Sequence, residues 1–396
     1  MSSAVDAPGV GVTAARGFRA AGVAAGLKSS GALDVALVVN DGPELSAAAV
    51  LTENRIKAAP VKWTQNVVRD GMIRAVVANS GGANACTGRA GDTDCAQTAV
   101  RVAKALECSD DEIAVCSTGL IGVRLPLDKL LSGVTSAAAA LSVDGGADAA
   151  RSIMTTDTQP KTAETSVGGV TVGGIAKGAG MLAPSLATML VVITTDAQVA
   201  PATLDAALRT ATRLTFDRLD SDGCMSTNDT VIAMASGASG VMVGRDLDER
   251  AFVDALTSVC HSLAQRLLAD AEGASKQIEI HVVGAASEAD ALAVGRAIAR
   301  SNLLKCAVHG EDPNWGRVLA AAGTTHVEFD PDTIDVSMND VVVCVGGSAL
   351  PEEPAVDLSA ERVLIGVDLH AGSAAARIWT NDLSAAYVHE NSAYTT

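Results

Sequence analysis

Three stretches in the C-terminal half carry an apolar side chain at every second position: Ile278, Ile280 and Val282; Ile334, Val336 and Met338; and Val363, Ile365, Val367 and Leu369. Successive side chains of a β-strand point to opposite faces, so each run buries one face and leaves the other to water or a helix. This favours antiparallel or mixed sheets over an all-parallel stack, whose strands are apolar throughout. Asn339-Asp340 reads as a hairpin tip between two such strands. Shorter Val- and Ile-rich runs at 34–40, 73–78, 113–118 and near 170–176 predict further strands. Helices are predicted at 92–107, around 126–141 and 147–154, and at 202–216 with Pro201 near the start. Over 250–270, Phe252, Leu256, Val259, Leu263 and Leu267 form one apolar stripe. Ser287-Glu288-Ala289-Asp290 resembles a capping box, and Trp315, Val318, Leu319 and Ala322 share one helix face. The pattern is that of a layered α+β protein.

The chain has 396 residues, 48% of them hydrophobic but only 2% aromatic, so its core is packed from Ala, Val, Leu and Ile. A net charge of −17 argues against nucleic acid and anionic membrane surfaces as partners. No apolar run reaches membrane-spanning length. The N-terminal segment lacks a basic-flanked apolar core, so a cytoplasmic protein is expected. Eight cysteines are scattered without a CxxC pair, which reads as free thiols with neither a disulfide framework nor a zinc site. Six histidines are also dispersed, and His261 and His281 read as structural. No metal is expected.

GxxxxGK[ST], GxSxG and HExxH are all absent, and Gly178-Ala179-Gly180 leads into a strand instead of a long helix. The stretch KGAGMLAPSLATMLVVITTD, residues 177–196, stands out. Gly178, Gly180 and Pro184 make a glycine-tolerant approach to Thr188, and Met189 to Ile193 then form an apolar strand. A threonine hydroxyl needs a base to act as a nucleophile, and cutting the bond before it supplies one in the freed α-amine. From these residues alone the stretch is either a loop entering a core strand or such a nucleophile. CSTGLIG (116–122) could aim donors at an oxyanion or be an ordinary turn. NSGGANACTG (79–88) and STNDT (226–230) are similarly dense in small polar residues.

Taken together, KGAGMLAPSLATML, CSTGLIG, IMTTDT (153–158), DAEGASK (270–276), STNDT, DPNWGRVLAA (312–321) and the terminal ENSAYTT (390–396) resemble the ornithine acetyltransferase family. Its members are also called bifunctional glutamate N-acetyltransferases of arginine biosynthesis, and the resemblance covers nearly the whole chain in order. It implies a layered αββα sandwich and self-cleavage between Ala187 and Thr188. The products would be an α chain, 1–187, and a β chain, 188–396, assembled as a heterotetramer of two of each. It further implies Thr188 as nucleophile, with Thr118 and Gly119 as the oxyanion hole. Substrate contacts would come from Thr155, Lys177, Thr188, Glu272, Asn391 and Thr396. Cys224-Met225 and Ala274-Ser275 depart from the pattern beside the motifs STNDT and DAEG.

The implied reaction moves the acetyl group of N2-acetylornithine to glutamate through acetyl-Thr188. No cofactor is required, although bifunctional members also take the acetyl group from acetyl-CoA. Lys177 would suit a substrate carboxylate and Glu272 an ornithine ammonium. The nearest rival is an amidohydrolase or aminopeptidase with the same threonine and water as acceptor. A non-catalytic or cofactor-binding α/β protein, left uncut, is a second.

Overall fold

The computed structural model describes residues 11–181 and 189–393, arranged as three sheets with flanking helices. The first sheet runs in the order Phe18–Val23, Val35–Asn40, Ala75–Asn79, Ile113–Ser117, with only the last pair parallel. The second runs Ser46–Leu51, Thr230–Ala235, Leu190–Thr195, Val170–Lys177, Lys161–Val167. Here only Leu190–Thr195 and Thr230–Ala235 are parallel.

These two sheets stack face to face. Ala36, Val38, Val76 and Cys116 of the first meet Ile175, Leu190, Val192 and Ile232 of the second. On its outer face the first sheet packs Val35, Leu37, Val77 and Val115 against the helices Gly88–Leu106 and Leu127–Ala139. The second packs Val191, Ile193, Val231 and Ala233 against Pro201–Leu214 and Glu249–Ala269. The layers are therefore helix, sheet, sheet, helix, as expected. Sandwiching buries both faces of the inner strands, so Val35–Asn40 and Leu190–Thr195 are buried at every position and show no alternation. Ser46–Leu51 (SAAAVL) and Thr230–Ala235 (TVIAMA) were not expected as strands. Their alanines have low β-propensity, and the two covering layers decide the conformation instead.

The third sheet runs Ser348–Ala349, Val341–Val345, Asp335–Met338, Arg362–Asp368, Gln277–Ala285, Ala374–Asn381. It is mixed, with Gln277–Ala285 and Arg362–Asp368 its parallel pair. Ile278, Ile280, Val282, Val363, Ile365 and Val367 bury one face under the helices Glu288–Ala299, Asn302–His309 and Trp315–Ala322. Asn339 and Asp340 have φ of 46° and 64°, the left-handed pair of a two-residue hairpin tip. Ser287 caps its helix by accepting from the Asp290 amide, but the reciprocal half of the capping box is replaced. The Asp290 carboxylate accepts the Ser287 hydroxyl at 2.7 Å, because aspartate is one methylene shorter than the glutamate the box calls for.

The division expected between residues 187 and 188 lies outside the described residues. It falls between neighbouring strands, Val170–Lys177 and Leu190–Thr195, which pair with Lys177 opposite Leu190. Both halves thus contribute to one sheet, and Lys177, Leu190 and Thr230 line up at its end.

Candidate active site

At that end of the sandwich lies a cavity of about 460 Å³ whose walls include Thr118, Gly119, Thr155, Lys177, Glu272 and Asn391. These are all of the expected site positions among the described residues, drawn from five separate segments of sequence. Ala187, Thr188 and Thr396 lie outside the described residues. Met189, the next residue after Thr188, is buried in the core.

Lys177 closes its strand and is 2% exposed. Its Nζ donates to Thr155 Oγ1 at 2.6 Å and to Thr118 Oγ1 at 3.2 Å. Burial pushes its pKa down, against the opposing pull of the Asp157 charge. Asp157 is itself buried and sits among cations and amides. Lys161 Nζ reaches its Oδ1 at 2.6 Å, the Gly178 amide at 2.7 Å, and the Thr155 amide reaches its Oδ2 at 3.0 Å. Burial alone would raise this carboxyl, but Lys177 and Lys161 outweigh it and hold the pKa at about 2. Lys161 also bonds Asp270, whose carboxylate takes the Thr158 amide and hydroxyl. The network ties the loop carrying Thr155 to the loop carrying Glu272.

Asp157 sets a pH dependence. Its folded pKa of about 2 lies below the ordinary 3.8, so it contributes stability that is present above pH 3.8 and lost as pH falls through 2. From that shift, Asp157→Asn should cost about 2 kcal/mol at pH 7. In urea unfolding the gap to the wild type should shrink below pH 4, and a gap that holds constant to pH 3 would contradict the assignment.

Thr118 is fully buried at the end of Ile113–Ser117, and its own amide bonds Asn79 O at 2.9 Å. Gly119 has φ of 128°, and a Cβ there would sit 2.8 Å from Gly82 N. Both conditions demand glycine. The Gly119 amide forms no hydrogen bond among the described residues and borders the cavity. Glu272, 8% exposed, is anchored through its amide to Ala179 O at 2.9 Å. The C-terminal helix Ala385–Ala393 seats on the same loop. Tyr387 packs on Gly273, where a Cβ would overlap its backbone, and Ser384 Oγ donates to Gly273 O. This brings Asn391 to the cavity, with its Nδ2 on Tyr387 O at 3.0 Å.

Two residues of STNDT do work that their sequence did not disclose. Asn228 Nδ2 donates to Ser117 O at 2.8 Å and Ala83 O at 2.6 Å, stapling this segment to the strand that ends before Thr118. Asp229 Oδ1 takes the Met189 amide at 3.0 Å, beside Thr188 in sequence. Burial pushes the Asp229 carboxyl well above its ordinary range, against the Met189 amide and the Lys177 charge, which favour ionisation. Consecutive side chains thus register the segment that leads into Thr118 and the strand after Thr188 to one another. Asp157, Lys161, Asn228 and Asp229 gave no signal because a buried polar residue in a short polar motif reads like any turn residue. Among the described residues no group of three or more His, Cys, Asp or Glu is placed to hold a metal ion, and no helix is long and apolar enough to cross a membrane.

A buried threonine hydroxyl and a glycine amide without a hydrogen bond among the described residues thus face one cavity in an αββα frame, an arrangement suited to acyl-group chemistry. The chain belongs to the ArgJ family, whose model matches residues 19–396. It is 62% identical over 385 residues to the arginine biosynthesis bifunctional protein ArgJ of Thermobifida fusca (strain YX), covering 97% of this chain and 100% of that protein. The protein of the same name from Mycobacterium tuberculosis (strain ATCC 25618 / H37Rv) is 56% identical over 393 residues, 97% of this chain and 96% of the relative. Among solved structures, the ornithine acetyltransferase of Mycobacterium tuberculosis complexed with ornithine is 55% identical. It matches 44% of this chain and 94% of its own, with a TM-score of 0.41.

Proposed function

We propose that this chain is a bifunctional acetyltransferase of arginine biosynthesis that moves the acetyl group of N2-acetylornithine to glutamate through acetyl-Thr188. The observation that carries this reading is the meeting of Thr118, Gly119, Thr155, Lys177, Glu272 and Asn391 at one cavity beside the strand that Thr188 precedes. Family membership favours transfer between amino acids over the hydrolytic rival, which needs no second amino acid.

The steps follow from these groups. After cleavage between Ala187 and Thr188, the free α-amine takes the hydroxyl proton while Thr188 Oγ bonds to the acetyl carbon. Negative charge gathers on the carbonyl oxygen, where Thr118 O–H and Gly119 N–H donate to it. An ammonium has donors only, so Thr118 Oγ1 must accept from Lys177, and its own hydrogen is free for the oxyanion. The C–N bond then breaks, and ornithine leaves with the proton held by the Thr188 amine. Glutamate's amine next attacks the acetyl ester, its shed proton passes through the Thr188 amine to Thr188 Oγ as the ester C–O bond breaks, and the hydroxyl is restored. With acetyl-CoA as donor the same hydroxyl attacks the thioester, the C–S bond breaks and the thiol leaves protonated.

Of the three Lys177 hydrogens, Thr118 and Thr155 take two among the described residues, and the third suits a substrate carboxylate. Glu272, which lines the same cavity, suits the ornithine ammonium. The decisive experiment is intact mass under denaturing conditions, before and after brief exposure to N2-acetylornithine. Two fragments split at Ala187–Thr188, with one acetyl gained by the second, are expected. Two fragments without acetyl would favour hydrolysis, and a single chain from an active preparation would refute the reading.

A further inference from the structure

Two amino acids with unlike side chains have to use the active-site cavity in turn. Ornithine ends in an ammonium, which Glu272 suits; glutamate ends in a carboxylate, which Glu272 would repel. The α-carboxylate common to both suits Lys177, so the second carboxylate of glutamate calls for a further cation. Among the described residues that line the cavity, Lys28 is the cation besides Lys177.

The loop that carries Lys28 joins the strands Phe18–Val23 and Val35–Asn40 and is held in place. The buried Asp34 carboxylate accepts the amides of Ala25 and Leu27, each at 2.6 Å, and that of Lys28 at 3.1 Å. Leu27 packs on Gly81, where a Cβ would lie 2.3 Å from the Leu27 Cβ. Lys28 is half-buried, and its Nζ donates to Leu33 O at 2.9 Å and to Met154 O at 2.8 Å. Its third hydrogen meets no acceptor among the described residues. Burial draws its pKa down against the charges of Asp34 and Asp157, as befits an ammonium short of a close counter-charge. Ser29 and Ser30 follow it along the cavity and can donate to the same anion.

Lys28 and Lys177 are linked through adjacent residues. Met154 precedes Thr155, whose hydroxyl accepts from Lys177 Nζ at 2.6 Å. Covalent bond lengths from Met154 O to Thr155 Oγ1 therefore keep the two ammonium nitrogens within about 11 Å of each other. A five-carbon diacid with a hydrogen bond at each end reaches about 12 Å, enough to bridge them. We infer that Lys28 takes the side-chain carboxylate of the acceptor amino acid and so sets the specificity for glutamate. This rests on the acetyl-Thr188 reading, in which donor and acceptor occupy the cavity one after the other. Ornithine has no second carboxylate and makes no use of Lys28. Two charged groups of one cavity then tell the amino acids apart, Glu272 by the ammonium and Lys28 by the carboxylate.

The test times the two half-reactions of the full protein by intact mass. N2-acetylornithine loads the acetyl group, and its loss is followed after adding glutamate, glutamine or ornithine below saturation. Glutamine has the shape of glutamate without the charge. Lys28→Met should still load and still discharge to ornithine, but it should discharge to glutamate at least about tenfold more slowly than the wild type. The preference for glutamate over glutamine should fall by the same factor. Lys28→Arg keeps the charge and should recover much of that preference. Lys28→Gln can still donate to a loop carbonyl and should match the methionine variant, so it serves if that protein fails to fold. Equal slowing with all three acceptors would make Lys28 a structural group and overturn the inference, as would an unchanged preference for glutamate in the neutral variants. Should the wild type gain no acetyl group, the acetyl-Thr188 reading fails by itself. The steady-state KM for glutamate then decides Lys28: a tenfold rise in Lys28→Met supports its role, and an unchanged KM overturns it.

Discussion

Replacing Thr188 by alanine should yield a single uncut chain with no measurable acetyl transfer. In the proposed mechanism the substitution removes the hydroxyl that would attack the Ala187 carbonyl and, once the chain is cut, the acetyl carbon. Nucleophile deletions in acyl-transfer enzymes cost about 10⁴-fold or more in kcat, because the remaining groups stabilise a transition state that can no longer form covalently. Asp229 on the Met189 amide and the core burial of Met189 to Ile193 are untouched, so the fold and thermal transition should persist. Thr188→Ser keeps a hydroxyl and should still cut and acetylate. Intact mass separates the cases, and a cut or acetylated Thr188→Ala protein would show that another residue is the nucleophile.

The second large effect is expected at Thr118. Valine has nearly the same shape and lacks only the hydroxyl. Loss of one oxyanion donor costs about 3 kcal/mol, or roughly 10²-fold to 10³-fold in kcat, with KM little changed. Lys177 keeps its 2.6 Å bond to Thr155, so the buried ammonium is not left without an acceptor. Thr118→Ser should restore most of the rate. A change confined to KM would instead make Thr118 a substrate contact, and an equal loss in the serine variant would point to packing.

The origin of legibility differs between the parts of the fold. The third sheet was readable because one face is covered by helices and the other is not, so Ile278, Ile280 and Val282 alternate with half-exposed neighbours. The helix Glu249–Ala269 was readable for the same reason, as one stripe faces the core. Ser46–Leu51 and Thr230–Ala235 lie where layers cover both sides, which erases the periodicity that marks a strand. The residues that meet at the cavity were legible as a set of motifs, because the proposed nucleophile, oxyanion donors and charged substrate contacts call for particular residue types. Their support was not legible, since Asp157, Asn228 and Asp229 take their roles from partners distant in sequence.

By itself, then, the sequence determined the residue chemistry: a core of small aliphatic side chains, alternating strands that require a mixed sheet, a glycine at 119, and the motifs of an acetyltransferase. Local chemistry of this kind is written in single residues and short spacings. Only the tertiary structure decided which distant segments share one cavity, and that Lys177 is spent partly on orienting Thr118. It alone brought Lys161 and Asp270 together across 109 positions of sequence and set Lys28 against Met154 at the edge of that cavity. Those outcomes depend on how two buried sheets stack and register. Stacking is set by the whole packed core, so no short stretch of sequence records it.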